Sequence, residues 1–465
     1  MHLGTNFWFT GSWTGEVAFA PSTNFTTTTN PWNPVFLEEI EIYSTLRFMD
    51  WMTTNWSGLS RWDQRTLKTD GNQTGATNGG SNRQSDGRQT YGVAYEWLID
   101  LCNRNLSDMW ICVPHLTVSR ADQNALVNDY SIKLAILIKH GVDMKAVNVL
   151  SMGDISDKTT EELIAAGGVK TCDPLNPALK VYVEYSNETW NGMFSQCDYC
   201  IDEGVALALA GNQWYQGWGF QTFGAVRAWE AFGRVYGTES DRFVRVIAGQ
   251  VGWGGGDVCK TQVAALDVAK VNPKGLKADC WAGAPYMGGE SVSALRSSIA
   301  NCVTMVNNNR QWLTGKGIKY VSYEGGQHAI QAADAVSSDP AIHDCYMEYL
   351  EAMANVTDGV FAHYAHCGAW GPGGAWGSKR FTGQPLSEAH KYRALVDWVA
   401  ENPRPVVTGT VTPLQQSALT IAGQGAAVNL VLPFAAPGAR APVFGLDGSV
   451  MRGSAVATPA LMRAK

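Results

Sequence analysis

Short apolar runs alternate with longer amphipathic stretches from the first residues to the region of Glu401. The runs rich in β-branched and aromatic residues read as strands. They are Leu3–Thr10, Thr45–Trp51, Met109–His115, Lys180–Asn187, Phe243–Gln250, Ala278–Ala284, Lys319–Glu324 and Gly359–His366. Between them, apolar residues recur every three or four positions over Gly92–Asn103, Gln123–His140, Phe220–Tyr236, Ser291–Thr314, Asp344–Asn355 and Ser387–Glu401, which predicts helices. Strands separated by crossover helices pair in parallel, and eight such repeats close a barrel. The pattern therefore predicts an α/β chain folded as a (β/α)8 TIM barrel. No repeat of roughly 20–50 residues is visible, which excludes a solenoid.

Two polar insertions interrupt the alternation. Lys68–Gln89, rich in Gly and Asn, falls between the second strand and its helix, on the rim where barrel enzymes keep their chemistry, and is expected to shape a cleft there. Ser151–Leu179 separates the third helix from the fourth strand without an evident role. Pro403-Arg-Pro405 ends the last helix. The domain boundary is placed there: a barrel over 1–402, and a small all-β C-terminal appendage over 403–465, rich in Val, Ala, Thr and Gly and expected to pack on the barrel.

Composition narrows the partners. A chain of 465 residues that is 45% hydrophobic and 17% charged buries a large globular core. A net charge of −7 without a basic run excludes nucleic acid as the expected partner. No apolar stretch is long enough to span a membrane. Met1–Phe9 lacks the basic and apolar regions of a leader, so either a leader lies outside this chain or export takes another route. An extracellular or periplasmic location is expected on the substrate class argued below.

Trp is over-represented, with 18 residues against 16 Tyr and 15 Phe. Indole faces stack on the C–H faces of sugars, so a Trp-rich cleft suits carbohydrate, although a large core also uses Trp. Cys197-Asp-Tyr-Cys200 has CxxC spacing but no second pair or His at zinc-site distance, and the ten cysteines instead predict one or more disulfides. His328 and His363-Tyr-Ala-His366 fit no metalloprotease helix. Gly252–Gly256 and Gly371–Gly377 lack the Lys-Ser/Thr of a phosphate loop, and no G-x-S-x-G elbow is present. No metal and no cofactor are expected.

The chemistry concentrates at two strand ends. Val181-Tyr-Val-Glu-Tyr-Ser-Asn-Glu-Thr-Trp190 runs from an apolar strand into Asn187-Glu188, and Lys319-Tyr-Val-Ser-Tyr-Glu324 ends a second strand on a carboxylate. Two carboxylates across one barrel mouth are what glycosidic cleavage requires: one protonates the departing oxygen and the other attacks the anomeric carbon, at a separation of about 5–5.5 Å in retaining enzymes. Strict alternation turns Glu184, Ser186 and Glu188 to one face and Asn187 to the other. Both Asn187 and Glu188 reach the mouth only if the strand end bends or bulges. Glu184, deeper in the strand, reads as a buried paired carboxylate.

Asn-Glu at the end of strand four and Glu at the end of strand seven resemble the signature of clan A retaining glycoside hydrolases. The run Val181–Asn191 is similar, more narrowly, to a subgroup of bacterial barrel proteins with a V-E-Y-S-N-E-x-W-N motif, often secreted and sometimes linked to cellulose-binding modules. Gly92-Val-Ala-Tyr-Glu-Trp97, Trp110-Ile-Cys-Val-Pro-His115 and Tyr364–Gly377 support it.

The resemblance covers most of residues 1–400 and none of the tail. It implies a retaining hydrolase of a β-linked polysaccharide or oligosaccharide with Glu188 as acid/base and Glu324 as nucleophile. Asn187 would bind the sugar 2-hydroxyl, Arg47 and Tyr286 would steady the nucleophile, His115 would lie near the subsite, and Trp370 would form the sugar platform. Trp190 and Trp376 are further platform candidates. Leu116–Asp122 departs from the more acidic stretch of such relatives, which bears on the substrate. The long loop and the Trp content favour an open cleft and endo action. The alternatives are a non-catalytic carbohydrate-binding barrel and a glycan-degrading or adsorption protein of a phage particle.

Overall fold

The computed structural model describes residues 1–6, 32–73, 80–371 and 373–403, together with 443–444 and 450–451. Eight parallel strands close into a barrel: β1 (His2–Asn6), β2 (Thr45–Arg47), β3 (Asp108–Val113), β4 (Val181–Tyr185), β5 (Phe243–Ala248), β6 (Cys280–Gly283), β7 (Lys319–Ser322) and β8 (Val360–His363). Each pairs with its sequence neighbours, and β1 closes the ring on β8 through Leu3 opposite Phe361. The fold is the (β/α)8 TIM barrel that the alternation predicts, and each expected strand run overlaps one barrel strand, with positions 7–10 of the first run outside the described residues.

Side chains alternate across the barrel wall as the pleat requires. Trp110 and Cys112 of β3, Val246 and Ala248 of β5, Cys280 and Ala282 of β6, and Val321 of β7 fill the barrel interior with Met49, Tyr323 and Val360. On β4, Val183 and Tyr185 face outward. Tyr185 lies against Gly224 of the helix outside, where an added Cβ would stand 2.4 Å from the Tyr185 ring. Glu184 is thereby turned into the barrel.

The outer layer contains α1 (Pro34–Ile40), α2 (Tyr95–Asn105), α3 (Tyr130–His140), α4 (Ser195–Ala206), α5 (Gln213–Tyr236), α6 (Asp257–Ala265), α7 (Val292–Leu313), α8 (Ile342–Ala354) and α9 (His390–Glu401). The six helices expected from periodicity are present with shifted ends. Five others among the described residues are not predicted by the pattern: α1, α4, α6 and the short helices Thr160–Ala165 and Ala333–Ser338. α1 is short and is set by its cap, with Asn33 accepting from the Val35 amide and Pro34 in the first turn. α4 and α6 bury polar residues among their apolar ones, Gln196 and Glu203 in α4 and Gln262 in α6, which blurs the stripe. No described helix is long and apolar enough to cross a membrane.

The expected disulfides are absent: all ten cysteines are free. Cys112 and Cys280, for instance, serve as small apolar fillers of the barrel interior. In the first polar insertion, Asn82–Arg83 pairs with Gln89–Thr90 as a hairpin, and the Gln73 side chain accepts from the Ala94 amide beside α2. The second contains the short helix Thr160–Ala165 and the strand Val169–Lys170, which pairs with Val142–Asp143. The chain divides into two compact units, Met1–Arg404 and Pro405–Lys465. In the second, Val443–Phe444 pairs antiparallel with Val450–Met451. The rest of the expected β appendage lies outside the described residues.

Candidate active site

The buried guanidinium of Arg47, at the end of β2, organises the barrel mouth. Its Nε and Nη2 donate to the two oxygens of Glu184 at 2.9 Å each, and Nη2 also donates to Asn187 Oδ1 at 2.8 Å. Nη1 donates to Glu324 Oε1 at 3.0 Å. The guanidinium also lies 4.9 Å from the centre of the Tyr323 ring. One cation thus ties together residues from β2, β4 and the end of β7. Arg remains protonated even when buried, and here Cys112, Glu184 and Glu324 oppose the burial that would favour its neutral form.

The β4 end departs from regular pleating where Asn187 and Glu188 both have to reach the mouth. Ser186 and Glu188 adopt positive φ values of 56° and 43°, left-handed backbone that non-glycine residues seldom take. Asn187 is held on both sides of its amide: the oxygen accepts from Arg47, and Nδ2 donates to Asn55 Oδ1 at 3.0 Å. Gln196 of α4 braces the turn by donating to the Asn187 carbonyl at 2.9 Å and to Asn55 Oδ1 at 2.7 Å.

The two candidate reacting carboxyls have different donors. Glu324 accepts from Arg47 and, at 2.9 Å, from the Tyr286 hydroxyl. Glu188 accepts from Asn191 Nδ2 at 3.0 Å and, at a longer 3.4 Å, from the Tyr323 hydroxyl. Burial raises both carboxyls. On Glu324 the Glu188 charge pushes the same way, while Arg47 and Tyr286 oppose. Interacting carboxyls titrate as a pair, and this pair retains a proton at neutral pH. The charged and phenolic donors on Glu324 favour the anion there and leave the proton to Glu188. Burial and the adjacent Glu324 push the Tyr286 phenol up, which keeps it a donor.

Trp376 belongs to the same rim. Its ring stands edge-on to His328 at 5.6 Å, and His328 stands edge-on to Tyr286 at 5.4 Å. Trp190 follows Glu188 and meets Trp253 at 5.6 Å. Trp370 packs differently: its ring lies 4.8 Å from Arg380 and 4.7 Å from Lys391, and its N–H donates to the Gly377 carbonyl. His115 is buried beside Tyr199 at 5.2 Å, and burial lowers its imidazole to about 4, so it is neutral. The structure therefore gathers Arg47, Asn187, Glu188, Tyr286 and Glu324 into one network, sets Trp376 and Trp190 on its rim, and gives Trp370 and His115 other partners.

Several residues of the network escaped sequence reasoning. Asn191 and Tyr323 lie within the quoted motifs and could have been included on that ground. Asn55 and Gln196 carry no pattern at all. Asp50, 6% exposed, lies close enough to Arg47 and Glu324 to interact with both, and its Oδ2 has no hydrogen-bond partner.

Fold and site together define a (β/α)8 barrel with a buried arginine–carboxylate network in its mouth. No protein-family model and no curated protein matches the chain. Solved structures do. An arabinofuranosidase aligns over 84% of this chain and 69% of its own, with 13% identity and a TM-score of 0.44. A Bacteroidetes-affiliated GH5 cellulase linked with a polysaccharide utilization locus covers 90% and 95%, with 12% identity and a TM-score of 0.40. The catalytic core of xylanase A covers 85% and 97%, with 10% identity and a TM-score of 0.36. At these values the likeness carries no argument about activity.

Proposed function

We propose that this chain is a retaining glycoside hydrolase that binds a β-linked polysaccharide in an open cleft and cleaves it within the chain by double displacement. The observation that carries this reading is the unequal treatment of two neighbouring carboxyls. Glu324 lies against a guanidinium and a phenol, whereas Glu188 accepts from an amide and from a phenol at longer range.

In the first step Glu324 attacks the anomeric carbon while the Glu188 carboxyl gives its proton to the departing glycosidic oxygen. The leaving chain departs as an alcohol, and a covalent glycosyl ester remains on Glu324. In the second step Glu188, now a carboxylate, takes a proton from water, the water oxygen attacks the same carbon, and the ester bond to Glu324 breaks. Arg47 and Tyr286 steady the carboxylate as charge moves onto and off it. Asn187, fixed by Arg47 and Asn55, is available to bind the sugar 2-hydroxyl, and Trp376 to carry the ring being cleaved.

The barrel segment 1–402 would perform this chemistry alone, with the C-terminal segment as a separate appendage. A secreted or periplasmic setting suits a polymeric substrate. The test is stereochemical. Proton NMR of the first product released from a β-glucan should show the β-anomer before mutarotation; the α-anomer appearing first would sink the double-displacement assignment.

A further inference from the structure

The rim between β4 and β5 gathers indole rings that the chemistry above does not use. Trp190 follows Glu188 in the loop after β4, Trp253 lies in the loop after β5, and Trp214 and Trp218 belong to the first turns of α5. Trp253 meets Trp190 at 5.6 Å and Trp218 at 6.1 Å, and Gly192 provides a seat for Trp214, whose ring edge would lie 3.5 Å from a Cβ placed there. Despite these contacts Trp253 is 41% exposed and Trp214 38% exposed, with Met193 beside them at 67%. Large rings left this open on a structured rim mark a surface that binds something.

The backbone holds these rings in place. The Trp253 amide donates to Gln250 Oε1 at 2.9 Å, and the Trp253 carbonyl accepts from Gly256 at 2.9 Å and Asp257 at 3.2 Å. Gly254, Gly255 and Gly256 take φ values of 52°, 65° and 102°, a turn that side chains resist, which accounts for the Gly-Trp-Gly-Gly-Gly run. The Asn212 side chain caps α5 by accepting from the Trp214 and Tyr215 amides. A ring presented on a pinned backbone loses little freedom when a ligand covers it.

We propose that Trp190, Trp214 and Trp253 form a sugar-binding face on the leaving-group side of the cleavage point, taking rings of a β-linked glycan beyond the bond that Glu188 protonates. The direction follows from chemistry. The acid stands beside the departing oxygen, so the surface that continues from the Glu188 loop lies under the departing chain. This deepens the hydrolase reading and rests on it. It makes the enzyme one that grips a polymer on its leaving side, as cutting within chains requires. The occupant is a sugar ring because indole faces match sugar C–H faces, and the rings adjoin the candidate acid rather than a remote surface.

The experiment compares wild type, Trp253→Ala, Trp253→Phe and Trp214→Ala as full chains on a soluble β-glycan polymer and on the nitrophenyl glycoside of its sugar. The nitrophenyl group occupies the leaving position but does not extend along the rim. Trp253→Ala should lose about 10-fold in kcat/KM on polymer, stay within about 2-fold on the aryl glycoside, and be largely restored by Phe. Equal loss on both substrates, or no loss on polymer, overturns the face. Were wild type to cleave neither substrate, hydrolysis would fall, and electrophoresis through polymer-containing gels would decide the face separately. Retardation of wild type that Trp253→Ala abolishes would support it. Unchanged retardation, or none by any polymer, would overturn it, as would a shift in oligomeric state on mutation.

Discussion

Replacing Asp50 with Asn should stabilise the protein increasingly as pH rises. Asp50 is buried with one carboxylate oxygen lacking a hydrogen-bond partner, and burial lifts its pKa from 3.8 to about 7, with the Arg47 charge opposing. The folded state therefore holds the proton more tightly than the unfolded chain. Stability from this group is complete below the unfolded pKa and is lost as pH climbs through the folded value near 7. Roughly three pH units at about 1.36 kcal/mol each give about 4 kcal/mol forfeited at pH 8, against about 1 kcal/mol at pH 4.5. Asn does not titrate, so the wild-type-to-variant difference should widen by about 3 kcal/mol over that range, whatever fixed cost the amide brings. The Glu324 shift also includes a push from the Asp50 charge, so its ionisation should ease in the variant. Urea unfolding of both proteins at pH 4.5, 6 and 8 measures this. A difference that stays constant with pH would refute the reasoning.

Other expectations concern the site and its support. Glu188→Gln should lower turnover about 100- to 10,000-fold while the fold is kept, measured by reducing-sugar release beside circular dichroism. In wild type the same assay should show activity falling at high pH as Glu188 loses the proton it donates, the raised carboxyl setting that limb. Arg47→Met leaves Glu184 and Glu324 facing each other without their cation and should cost about 3–5 kcal/mol in urea unfolding, as breaking a buried ion pair does. Gly224→Ala forces a methyl against Tyr185, with a Cβ only 2.4 Å from its ring, and should cost about 1–3 kcal/mol by the same measurement.

The barrel was legible because its signal is repeated: eight apolar runs at regular intervals leave few other architectures, and errors at single ends do not change the count. Helices that rest on caps or bury polar residues among apolar ones, such as α1 and α4, gave no periodicity to detect. At the site, Asn187-Glu188 stood out because polar groups ending an apolar strand need a reason to be there. The left-handed turn at Ser186 and Glu188 was implied by the conflict between alternation and a shared mouth. Asn55 and Gln196 were invisible, since their role arises from two loops and a helix meeting in space. Trp370 and Trp376 look equivalent in the chain. Only packing distinguishes the ring held between Arg380 and Lys391 from the ring beside His328. The free cysteines show the same limit, because ten thiols, eight of them buried, have the composition of a disulfide protein.

The most direct measurement is reducing-sugar release from a panel of β-glucans, xylans, mannans and galactans, with wild type run beside Glu324→Gln. Wild type should release sugar from at least one polymer, and the variant should lose about 10,000-fold or more of that activity. Equal release by both proteins would contradict the assignment of Glu324 as nucleophile, and no release from any polymer would contradict the hydrolase itself.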